Sequence, residues 1–156
     1  MEWLYLARWL HIIGACVLLG TGAGIAFFMV MAHRTGEARL VAHTASIVVL
    51  ADFLFTASAV LLQPLTGLWL VYMLGWSLTT PWIIFSLGLY VLTGAFWLPV
   101  VWMQIKMRDL ARDAANAGEP LPLAYHRLYR TWFVFGFPAF FAVLGIIWLM
   151  LARPVV

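Results

Sequence analysis

Apolar positions in this chain fall into four long blocks, roughly Trp3–Ala32, Leu40–Leu74, Pro81–Ile105 and Thr131–Ala152, with short polar segments between them. A membrane span needs about 20 apolar residues, at about 1.5 Å rise per residue across a core of about 30 Å. The pattern therefore predicts an all-α fold, an integral membrane four-helix bundle. Its spans are expected at about 3–32, 40–64 with an extension to 74, 81–105 and 131–152, within a single transmembrane domain over 1–156.

Local breaks refine this picture. Gln63-Pro64-Leu65-Thr66-Gly67 reads as a kink or an end in the second block, because proline removes a backbone donor and disfavours helix in the residue before it. Leu68–Leu74 would then lie near the outer interface. Pro99 and Pro138 should kink the third and fourth spans. The third helix is expected to continue as the amphipathic Lys106–Ala115 before a turn at Asn116-Ala117-Gly118-Glu119-Pro120. Trp3, Tyr5, Trp9, Trp76 and Trp82 suit an aromatic belt at one interface.

Composition excludes a soluble protein. With 65% hydrophobic and 10% charged residues, no soluble domain could hide this surface. The net charge of +3 does not point to nucleic acid, since the cations lie in loops, where they set topology and meet anionic lipid. Arg34 and Arg39 flank the first connection, and Lys106, Arg108, Arg112, Arg127 and Arg130 the third. The second, around Gly75–Thr80, has no charge, and Arg8 and Arg153 lie toward the termini. The positive-inside rule places loops one and three in the cytoplasm and both termini in the periplasm. Four helices cannot easily enclose a wide pore alone, so any channel would require an oligomer; a homo-oligomer is expected. Cys16 is the only cysteine, which excludes an internal disulfide and a thiolate cluster. Acidic Glu2 and the length of the first block argue against a cleavable signal.

The chemistry must come from the few polar groups inside the blocks. His11 lies about 12 Å below the outer face, counting from Trp3. An ionisable group at that depth is costly and usually points into the bundle. Gly14 and Gly22 share its face, which could admit a flat cofactor, with His11 as axial ligand to a haem iron. Close helix packing is the alternative. Asp52 is the one carboxylate well inside a span, about 18 Å from the inner face, counting from Leu40. With no Lys or Arg at that depth, it must be protonated, accept hydrogen bonds, or pair with His11. Thr56, Thr93 and Trp97 are its other candidate partners. Gln63 and Tyr90 could line the same cavity or act as interface anchors. At the inner face, His33, Arg34, Arg39, His43, Tyr125, His126, Arg127, Tyr129 and Arg130 form a basic rim. Arg34, His126, Arg127 and Arg130 could there contact an anion such as a porphyrin propionate. Lipid headgroups are the simpler partner.

Several stretches resemble a bacterial family of predicted integral membrane proteins, domain of unknown function twenty-two sixty-nine. They include Trp9-Leu10-His11-Ile12, Ala32-His33-Arg34-Thr35-Gly36, Ala51-Asp52-Phe53-Leu54-Phe55-Thr56, Gln63-Pro64-Leu65-Thr66-Gly67 and Leu98-Pro99-Val100-Val101-Trp102. The resemblance covers nearly the whole chain and implies a multi-pass protein of the bacterial inner membrane, with no activity attached. The first helix alone, through Leu10-His11-Ile12 and the later glycines, is also similar to HemJ-type protoporphyrinogen oxidases and CopD-like membrane proteins. That similarity implies a haem-ligand role for His11 only.

The resulting expectation is an inner-membrane protein that binds haem b through His11 and has a redox or porphyrin-handling role. Asp52, Gly14, Gly22 and Tyr90 would lie around the cofactor, and a quinone or another redox partner would exchange electrons with it. The rival is a non-enzymatic transport or structural protein without cofactor, in which Asp52 relays protons or packs.

Overall fold

The structure is a computed structural model and describes residues 2–154. It consists of four helices long and apolar enough to cross a membrane: α1 (Glu2–Thr35), α2 (Ala38–Leu74), α3 (Pro81–Ala117) and α4 (Leu123–Ala152). At 34 to 37 residues, α1, α2 and α3 each run for about 50 Å. They are thus longer than the apolar core of a bilayer, and depths counted from the first apolar residue are displaced by whole turns.

The connections are tight. Gly36, Gly75 and Gly118 follow α1, α2 and α3 with φ of 69°, 67° and 69°. This left-handed conformation ends a helix at little cost only for glycine. Pro81 opens α3 at its first turn, where a missing N–H goes unnoticed.

Helix α2 does not end at Pro64 but runs through it to Leu74. Proline leaves the carbonyl four residues earlier, Val60, without its helical donor. The Tyr90 hydroxyl donates to that oxygen at 2.6 Å, so α3 supplies the missing bond. The irregularity lies elsewhere, at Asp52–Thr56, which forms one π-helical turn. The N–H of Ala57 donates to the Asp52 carbonyl, the i→i−5 spacing of that turn.

The π turn lies where α2 changes partner. Before it, Ala38–Ala51 packs mainly on α3; after it, Ala57–Leu74 packs on α1. The tightest core sits at the end of the bundle that carries loops one and three. Met29, Val41, Ala45, Met107, Ala111 and Tyr125 are fully buried there. The same core includes Ile25, Met103 and Trp132. Helices α3 and α4 form a closely packed hairpin, whereas α1 and α4 touch sparsely. The bundle is closed at its basic end and loosely sealed along the α1–α4 seam.

Candidate functional site

That seam contains a cavity of about 330 Å³. Leu18, Gly22 and Ala26 of α1 form one wall, and Phe133, Gly136 and Phe140 of α4 form the other. Asp52, Thr56 and Val60 of α2 and Thr93, Trp97 and Gln104 of α3 close the back. Phe133, Phe137 and Phe140 line it while remaining 42%, 46% and 37% exposed. The cavity therefore opens sideways, through the apolar surface of the bundle.

Its one polar corner is built around Asp52, which is buried to 3% exposure on the π turn. The Trp97 indole N–H donates to Oδ1 at 3.3 Å. The Gln104 side chain, with its amide in the orientation that satisfies both neighbours, donates to Oδ2 at 2.7 Å and accepts from the Trp132 indole at 3.3 Å. Each carboxylate oxygen thus accepts one N–H bond, and no cation takes part. One turn on, the buried Thr56 hydroxyl lies beside the Asp52 side chain without a hydrogen bond of good geometry. An unmet buried hydroxyl is costly. This one borders open volume, where a ligand atom could meet it.

His11 belongs to a different place. Its Nδ1 is hydrogen-bonded to the Thr66 hydroxyl at 2.8 Å, and its Nε2 faces the Met150 sulfur at 3.4 Å. Gln63 donates to the His11 carbonyl at 2.9 Å. The imidazole lies against Gly67, where an added Cβ would stand 3.3 Å from Cε1. Gly14 makes room for Gln63 in the same way, since a Cβ there would lie 2.8 Å from its amide nitrogen. Because Thr66 holds His11, Asp52 is about 21 Å away along α2, toward the start of that helix. Of the alternatives for Asp52, pairing with His11 is not the one formed; its carboxylate accepts hydrogen bonds instead. Depths counted from opposite faces of a slab of about 30 Å match only for helices of that length, and these helices are much longer.

The remaining candidates divide likewise. Gly22 lines the cavity, whereas Gly14 and Tyr90 do not. Gln63 is a buried interhelical donor rather than an interface anchor, and Tyr90 serves Val60. At the basic end, His33 stacks on Tyr129 with ring centroids 3.6 Å apart. It also lies edge-on to His126 at 5.6 Å and is hydrogen-bonded to the Tyr125 hydroxyl at 3.3 Å. Arg34, Arg127 and Arg130 project outward as exposed side chains. Among the described residues, no group of three His, Cys, Asp or Glu could hold a metal ion.

Haem at His11 would require Nε2 to point into free space. A metal on the line between a nitrogen and a sulfur ligand needs them about 4.3 Å apart, the sum of typical bond lengths. The 3.4 Å between Nε2 and the Met150 sulfur leaves no such position, and the residues as packed do not fit the group.

A family model described as predicted integral membrane protein (DUF2269) matches residues 5–154. The chain belongs to this family. No curated protein and no solved structure matches the chain at a significant level. The match covers both His11 and the whole Asp52 corner. It identifies an integral membrane protein and carries no reaction or cofactor.

Proposed function

We propose that this protein binds a small, largely apolar molecule from within the bilayer, in the cavity between α1 and α4, with Asp52 as polar anchor. One observation carries the reading: a buried carboxylate and, beside it, a buried Thr56 hydroxyl without a well-formed hydrogen bond meet at the polar corner of an otherwise apolar, laterally open cavity. Binding sites for small molecules have this character, apolar walls with a few convergent polar groups. Ionisable side chains inside a membrane are functional candidates for the same energetic reason. The reading is closer to the transport alternative than to a haem protein, because the polar corner uses Asp52 and not His11.

In the same proposal the chain lies in a bacterial inner membrane, with both termini periplasmic and loops one and three cytoplasmic. The distribution of Arg and Lys among the loops supports this orientation.

The test is a titration of the purified protein in lipid nanodiscs with 3-phenylpropan-1-ol, an aromatic body with one hydroxyl head. The indole N–H resonances of Trp97 and Trp132 report on the corner directly. The proposal expects both to shift and saturate, while the exposed Trp148 does not. Shifts that grow linearly at every tryptophan, as in simple partitioning into lipid, would overturn it.

A further inference from the structure

We infer that the molecule taken up by this cavity is a lipophilic monocation, a protonated amine on an aromatic or alkyl body, and that it competes with a proton for Asp52. The inference rests on the reading of the cavity as a binding site.

The charge of Asp52 is unmatched. None of the side chains that α1, α3 and α4 contribute to the cavity is titratable, and on α2 Asp52 is accompanied only by Thr56 and Val60. The groups bonded to its oxygens, Trp97 and Gln104, are neutral. An ionised carboxylate in a low-dielectric site needs a counter-charge. With no fixed cation among the described residues that line the cavity, the counter-charge must be mobile, either a proton or a ligand.

The sense of the hydrogen bonds agrees. Each carboxylate oxygen already accepts one N–H and keeps further acceptor capacity. The Thr56 oxygen accepts nothing, and its O–H, beside the Asp52 carboxylate, can turn to it. The corner therefore offers acceptors, which an ammonium group, a pure donor, satisfies. The walls agree as well. Trp97, Trp132, Phe133, Phe137 and Phe140 line the cavity with aromatic rings, whose faces attract cations. The lateral opening suits a cation that reaches the site from the lipid because most of its body is apolar.

Competition for one carboxyl group fixes a sign. A proton on Asp52 removes the charge that holds the amine, so affinity falls as pH falls.

The experiment compares 3-phenylpropylamine with 3-phenylpropan-1-ol on the full chain in nanodiscs, read at the Trp97 and Trp132 indole resonances. The two probes differ in the head group alone. The amine is expected to bind at neutral pH roughly tenfold or more tightly than the alcohol, as close charge pairs do, and to weaken on acidification. In Asp52→Asn that advantage is lost while alcohol binding persists. Equal affinity for both probes in the unaltered protein overturns the inference, needs no variant to fold, and favours a neutral head such as a quinone carbonyl. An amine affinity unchanged in Asp52→Asn also overturns it. Both of those outcomes leave the cavity reading standing. Saturable binding of neither probe removes both.

Discussion

Gln104 joins Asp52 to Trp132: its amide donates to the carboxylate at 2.7 Å and accepts from the indole at 3.3 Å. Three helices thereby share one hydrogen-bonded unit at the back of the cavity. Gln104→Leu keeps the volume and removes both bonds. It should lower stability by about 1–3 kcal/mol, the cost of unpaired buried groups. A value near the lower end is expected, because interhelical bonds in membranes average about 0.6 kcal/mol. Thermal unfolding in detergent measures it. Unchanged stability would show that the bridge contributes nothing.

Tyr90 and Pro64 should be energetically coupled. Tyr90→Phe orphans the Val60 carbonyl and should cost about 1–2 kcal/mol. Pro64→Ala restores a backbone N–H to the same carbonyl, so Tyr90→Phe in that background should cost much less. A double-mutant cycle reads the difference. Additive effects would mean that the hydroxyl and the proline are not linked through Val60.

How far the sequence led differs between these residues. The four helices follow from block length alone, and Asp52 stood out as the lone carboxylate inside a span. Trp97 was among its plausible partners. Gln104 was not, because a glutamine two residues before Lys106 looks like the margin of a span. The helix continues past Lys106 to Ala117, as expected, but the loop-side charges gave no sign that Gln104 is buried within the bundle. No sequence signal marked the π turn, whose geometry depends on α2 changing partner between α3 and α1. Pairing His11 with Asp52 failed for a reason of length: end-counted depths assume that helices stop where the lipid does. Thr66 lay within the Gln63–Gly67 stretch and was read as part of a break. It is the residue that fixes His11.

The expectation of haem at His11 has its own test. With Nδ1 bonded to Thr66 and Nε2 against Met150, the purified protein should show no Soret band that depends on His11. His11→Ala should lower stability, through loss of the Thr66 bond and of packing on Gly67, and leave the cavity intact. A Soret band present in the parent and absent from an assembled His11→Ala variant would restore the ligand role and require Met150 to move.

The proposed orientation rests on loop charge and is tested separately. A periplasm-dependent reporter fused after the last residue should be active, and a cytoplasm-dependent one silent. The reverse pattern would invert the bundle. The basic rim should tolerate single neutralisations, since a lysine or arginine near an anionic leaflet contributes about 1 kcal/mol. Loss of cavity binding in Arg127→Gln would instead tie the rim to the site.

The content of the cavity decides the account. Gly22 and Gly136 line it from opposite helices, and a Cβ at either position meets nothing within 4 Å. Gly22→Leu or Gly136→Leu should therefore fill the space without disturbing the fold. The measurement is native mass spectrometry of protein released gently from its own membrane, comparing the parent, Gly136→Leu and His11→Ala. The account predicts a small-molecule adduct on the parent and on His11→Ala that is lost from a stably folded Gly136→Leu. An adduct that persists in Gly136→Leu and disappears from His11→Ala would contradict it.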